Sequence, residues 1–193
     1  MKTLSPYLSA NLALSAAIAL YGCSAGQPEP AAAPRVENSS LGIAIAALPP
    51  PFIIGANEGP ILELRAPGEE GEAVLFIETT AELSGGINLI AEAEGMQEWF
   101  EEQPEGRYFG NLELGAPLGP AFTSRGSYLL EEVAVEELRL FAIHPTSNRL
   151  LRMTYRYGPG EGKERLQQLA EVLGEVEPLS DTPQDASSSP SDS

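Results

Sequence analysis

His144 is the chain's single histidine and Cys23 its single cysteine, which limits what the reactive side chains can build. A serine nucleophile would need His144 as its base, and no Gly-x-Ser-x-Gly elbow occurs. His144 precedes Pro145 in a turn-like stretch, where a solvated imidazole is the plain expectation. With one His and one Cys, a zinc site would have to be nearly all carboxylate, which suits zinc poorly. Glutamates recur in pairs at Glu69/Glu70, Glu101/Glu102, Glu131/Glu132 and Glu136/Glu137. Two carboxyls across a cleft can hydrolyse glycosides, but neighbours on opposite faces of a strand do not supply the separation, so these read as solvated acids. A Glu-dependent hydrolase acting on envelope polymers survives as the alternative, through distant glutamates that converge on folding.

Gly158-Pro159-Gly160-Glu161-Gly162-Lys163 looks like a phosphate loop only superficially. One residue is missing before Gly162-Lys163, Glu164 stands where a magnesium-binding Ser/Thr belongs, and Pro159 has no N–H to donate. A Gly-rich lead into a helix, with no nucleotide, is the reading that follows. Basic residues carry more information. Arg149, Arg152, Arg156, Lys163 and Arg165 crowd into a short stretch of an acidic chain. On a strand, Arg152, Thr154 and Arg156 share one face and Leu151, Met153, Tyr155 and Tyr157 the other. Arg149, Arg152 and Arg156 are therefore candidate partner-binding residues for an acidic partner or an anionic headgroup. The competing expectation, and the stronger, is internal pairing with Glu131, Glu132, Glu136 or Glu137. Trp99 is a candidate anchor, although one of Trp99 and Phe100 is expected in the core.

Near the start, Lys2 is followed by the apolar run Leu12–Leu20 and then by Leu20-Tyr21-Gly22-Cys23. This resembles the lipobox signal of bacterial lipoproteins, although Tyr21 is not the commonest residue at its position. The resemblance implies cleavage after residue 22 and a covalent lipid, palmitate among its acyl chains, on Cys23. No other cofactor is expected. Several acyl chains, at roughly 0.8 kcal/mol per buried methylene, would hold the protein on a membrane. Ser24 after the cysteine favours the outer membrane, if the cell has two. The plain alternative is an ordinary leader with an incidental thiol. Residues 23–40 then read as a Pro/Ala/Ser-rich tether that can reach about 50 Å at ~3.1 Å per residue. Asn38-Ser39-Ser40 matches a glycosylation pattern, which in such a linker is chance.

Charge excludes other partners. The chain has 11 Lys+Arg against 28 Asp+Glu and a net charge of −17, a field that repels phosphate backbones and argues against nucleic acid. Asp181, Asp185 and Asp192 lie in the tail, so every acid of the domain is Glu, and Asp-rich calcium loops cannot be built there. Hydrophobic residues make up 42%, enough for a packed core, and no apolar run after the leader is long enough to span a bilayer. The organisation expected is a leader at 1–22, a lipidated linker at 23–40, one domain at 41–177 and a disordered polar tail at 178–193.

Elements follow from period and punctuation. Residues 41–48, 61–64 and 73–78 read as strands separated by Pro/Gly turns. Leu89, Ala93, Met96 and Phe100 recur at helical spacing and Pro104 closes that run. Residues 107–114 and 122–135 return to strand character around Gly and Pro turns. A hairpin at 137–143 and 149–157 turns at 144–148. Leu166, Leu169, Ala170 and Leu173 mark a last helix that Gly174 would cap.

The order GIAIAALPP, MQEWFEE, FTSRGSYLL with its Gly turn, ELRLFAIHPTSNRLLRMTYRYG and RLQQLAEVL resembles the PsbP-type domain shared with DcrB-like envelope lipoproteins. The resemblance is one of order and texture and carries over no functional residue. It implies an α+β domain, an antiparallel sheet of about six to eight strands with two main helices packed on it as an α/β/α sandwich. It also implies binding or assembly rather than catalysis. The chain is thus expected to be an exported, lipid-anchored envelope protein that binds a protein partner or an amphipathic ligand.

Overall fold

The computed structural model describes residues 32–68, 71–79, 88–116 and 118–179. Cys23 with its leader, the tail beyond residue 179 and the Glu69/Glu70 pair lie outside the described residues. The chain opens with two short strands, β1 (Val36–Asn38) and β2 (Ile43–Ile45), then β3 (Ile53–Glu58), β4 (Ile61–Ala66) and β5 (Ala73–Thr79). Two one-and-a-half-turn helices follow, α1 (Leu89–Glu94) and α2 (Met96–Glu101). Four long strands come next: β6 (Arg107–Ala116), β7 (Gly119–Leu130), β8 (Val133–Ile143) and β9 (Leu150–Tyr157). Helix α3 (Gly162–Glu175) and strand β10 (Val176–Pro178) end the described chain.

The fold is α+β and dominated by sheet. Seven strands form one antiparallel sheet in the order β3-β4-β5-β9-β8-β7-β6, and β1-β2-β10 form a second, three-stranded one. Strand alternation divides the large sheet into two faces. One face carries Leu62, Leu64, Leu75, Ile77, Leu138, Leu140, Met153 and Tyr155, packed with Leu169, Val172 and Leu173 of α3 and with Ile43 and Ile45 of β2. The opposite face carries Phe122 and Phe141, which pack with Leu89, Ala93 and Met96 of α1 and α2. Helices therefore lie on both faces of the sheet.

Several boundaries differ from those the sequence suggests. Strand β1 lies inside the stretch read as linker, where Val36 and Val176 flank the same residue, Ile45, from either side. Asn38 is buried there, and its side chain accepts from Leu41 N and donates to Asn57 and to Ile61 O, so it is committed to the fold and cannot carry a glycan. The mid-chain helix is two short helices that meet at Gly95, the first capped by the Asn88 side chain. Gly126 is not a turn residue. It stands mid-strand in β7 because a Cβ there would come within 2.4 Å of the Phe100 ring, and this close approach seats α2. The stretch 122–135 is instead broken by a two-residue turn at Glu131-Glu132. Helix α3 runs past Gly174 to Glu175, with extended Val176 as its C-cap.

Candidate functional site

Glu137 is the point from which the polar side of the sheet is organised. Its carboxylate is fully buried on β8 and accepts from Arg139 Nε at 2.5 Å, Arg156 Nε at 2.5 Å and Tyr128 Oη at 2.7 Å. Register produces this grouping, because Arg156 lies directly opposite on β9 and Arg139 two residues along the same face. Burial of a carboxylate is tolerable only when it is paired and its lone pairs are filled, and here three donors do so. Burial, and next the hydrogen bond to Glu137, push the Tyr128 hydroxyl up to about 12. Burial pulls the Arg156 pKa down, but the hydrogen bond to Glu137 and its charge outweigh that and raise it overall.

Trp99 extends this network to the helices. The Arg139 guanidinium lies 3.6 Å from the centre of its ring, and the ring meets Phe100 and Tyr128 edge-on at 5.0 and 5.5 Å. Phe100 is wholly buried and Trp99 half-buried, so the pair divides between core and rim as expected.

Beyond Glu137 the same face opens into a basin of about 590 Å³. Arg139, Arg152 and Arg156 line it together with Glu58, Glu63 and Glu78, and Thr154 and Phe76 contribute to its wall. Arg152 donates to Glu78 across the β5–β9 pair at 3.2 Å, and both keep a third or more of their side-chain surface in water. Glu63 is held by Arg65. The basin therefore presents paired charges of both signs, not a bare cationic stripe.

The basic cluster read from the sequence is divided by the fold. Arg152 and Arg156 reach the basin, while Arg149 sits half-buried in the turn before β9 and is not among the lining residues. Arg165 is buried on α3, where it donates to Glu161, Gln168 and the Pro67 carbonyl and ties the helix to the turn after β4. Internal pairing holds for Arg156 through Glu137. Glu136 points to the opposite face and pairs with Arg125. Sequence reasoning missed Glu78, Glu63 and Glu58, because nothing local announces that β4 and β5 will lie beside β9.

His144 is not solvated. It is 2% exposed, and Nε2 donates to the Gly42 carbonyl at 2.8 Å, since a carbonyl can only accept. Nδ1 accepts from the N–H groups of Thr146 and Ser147. The imidazole thereby closes the β8–β9 turn and fastens it to the small sheet. A Cβ on Gly42, whose φ is +72°, would press to 3.0 Å from Nε2. The Gly158–Lys163 segment runs into the first turn of α3, contains Glu161 and is followed by Glu164, which makes it a poor cradle for phosphate. Among the described residues, no three His, Cys, Asp or Glu side chains converge as a metal site, and no helix is long and apolar enough to cross a membrane.

No family model matches the chain, and no curated protein matches its sequence. Solved structures do resemble it. LpqN of Mycobacterium tuberculosis, described as involved in cell envelope biogenesis, aligns over 79% of this chain and 86% of its own at 11% identity, with a TM-score of 0.51. The Pseudomonas aeruginosa protein PA94 aligns over 63% of this chain and 95% of its own at 12% identity and a TM-score of 0.48. At such identities the likeness to LpqN is one of fold.

Proposed function

We propose that the chain is a non-catalytic envelope module, tethered by a lipid on Cys23, that engages a protein partner or an amphipathic ligand at the membrane surface. The basin beside Glu137 is its protein-binding surface. The observation that carries this reading is the basin itself, a concave polar surface whose outer pairs, Arg152–Glu78 above all, are exposed enough to exchange one partner for another. An incoming segment carrying charges of both signs would replace those pairs without leaving a buried charge alone, and partner choice would rest on charge pattern. The lipobox-like start, the fold shared with an envelope-biogenesis protein and the PsbP/DcrB-like order of elements all support an envelope setting.

Photo-crosslinking tests it in native membranes, with a photoreactive residue at Ala56 in the basin and another at Gln167 on α3 as the control. Arg152→Glu is the variant to use, because Arg156 also serves the buried Glu137. The expected outcome is a crosslinked partner at Ala56 that Arg152→Glu loses while folding normally, and a Cys23→Ser chain that moves to the soluble fraction. Crosslinking unchanged by Arg152→Glu would remove the basin from the proposal. A Cys23→Ser chain that stays on the membrane would remove the anchor.

A further inference from the structure

On the opposite face of the sheet, α3 does not lie flush against the outer strands. A groove of about 300 Å³ separates it from β6 and β7. Leu166, Leu169 and Leu173 form its helix wall, and Leu138, Phe109 and Arg125 contribute on the sheet side. The wall spans two turns of α3, so its length is about 10 Å at ~1.5 Å per residue. A volume at the bottom of the range for small-molecule sites, with an apolar lining, fits one narrow alkyl group and is too small for a helix.

Charge decides what the alkyl group carries. Among the described residues, Arg125 is the one charged residue lining the groove, in a chain of net charge −17. Its guanidinium stands 5.3 Å from the centre of the half-exposed Phe109 ring, and Nη2 donates to Glu136 at 2.9 Å. Its Nε is buried with no hydrogen-bond partner among the described residues. A guanidinium has five N–H donors in a planar fork that matches a carboxylate; the buried Nε is out of a ligand's reach, and the Nη donors that Glu136 leaves free on this 37% exposed side chain point to an acid. We infer that the groove between α3 and β6–β7 binds a medium-chain fatty acid, with the alkyl chain along Leu166, Leu169 and Leu173 and the carboxylate on Arg125. The groove and the Glu137 basin lie on opposite faces, so either assignment can fail while the other stands.

The test uses the full chain as Cys23→Ser, freed of lipid in detergent-free buffer, so that its own acyl chains cannot fill the groove. Decanoate is titrated against a fluorescent fatty-acid probe, and decanol is the neutral control. The expected result is saturable one-to-one binding, weakened tenfold or more by Ala170→Trp, an exposed helix position whose new side chain would occupy the groove. Leu166→Glu should weaken it similarly, which keeps the test valid if the first variant fails to fold. Arg125→Gln should weaken decanoate several-fold and leave decanol unchanged. Absence of saturable binding, binding by both groove variants as tight as by the chain without them, or decanol binding as tightly as decanoate would each overturn the proposal. So would a dimer that binds no decanoate and dissociates in Ala170→Trp, which would give the groove to a second copy of the chain.

Discussion

Glu137 shows how much one side chain can organise when burial leaves it no other solvent. Three donors from three strands converge on its carboxylate, and Arg139 passes the arrangement on to Trp99 of α2. Removing the carboxylate strands two guanidinium groups that are 13% and 33% exposed. Glu137→Ala is therefore expected to cost about 3–5 kcal/mol of folding stability, the range for breaking a buried pair from one side. Urea unfolding measures it, and a loss below ~1 kcal/mol would show that the guanidinium groups simply turn to water. Alternation along β9 is enough to place Arg152, Thr154 and Arg156 on one face from sequence alone. Their partners were only half legible, because Glu137 belongs to the adjacent hairpin strand whereas Glu78 arrives through a pairing 74 residues distant in sequence. His144 was misread for a similar reason: its turn is local, but the Gly42 carbonyl that buries it comes from the small sheet.

Elements with a strong period were legible and elements defined by contact were not. The late hairpin and α3 stand where their apolar spacing puts them, since six to eight alternating residues or two helical turns specify a face without outside help. Strand β1 has three residues and no pattern, and exists because β2 offers it an edge. The Glu131-Glu132 turn was illegible because it breaks the usual chemistry. Both residues have positive φ, 51° and 70°, in the two-residue loop that joins Leu130 to Val133, where Asn-Gly is the favoured pair. Two like charges add to that local cost. Glu131→Asn/Glu132→Gly should raise stability by about 1 kcal/mol by relieving left-handed strain without touching the core. A denaturation midpoint that stays put or falls would mean that the glutamates make compensating contacts in the turn.

Across the whole molecule, the two faces of one sheet are put to different uses, and phenols are buried on both. Tyr128 lies on the basin face beside Glu137, and Tyr155 and Tyr157 lie under α3. Burial is the first cause of the shift in all three, and each hydroxyl is pushed up to about 12 from an ordinary value near 10. An acid whose folded pKa lies above its unfolded one favours the fold while both states keep the proton. That advantage is lost as pH rises from the unfolded value to the folded one, because the unfolded chain then releases protons that the folded chain retains. A shift of about two units amounts to ~2–3 kcal/mol per tyrosine, and three together are comparable with the roughly 5–15 kcal/mol that holds a domain folded. The chain should therefore keep its fold up to about pH 10 and unfold cooperatively before about pH 12. Phenolate absorbance from these tyrosines should appear only as the circular dichroism of the fold disappears. Tyr155→Phe should move the alkaline midpoint upward, and at neutral pH it should cost little, because the buried Tyr155 hydroxyl has the Arg165 guanidinium as a polar neighbour but makes no hydrogen bond of good geometry among the described residues. Phenolates that form while the dichroism is intact would show that water reaches these rings in the folded chain, and the account of how both faces are sealed would fail with them.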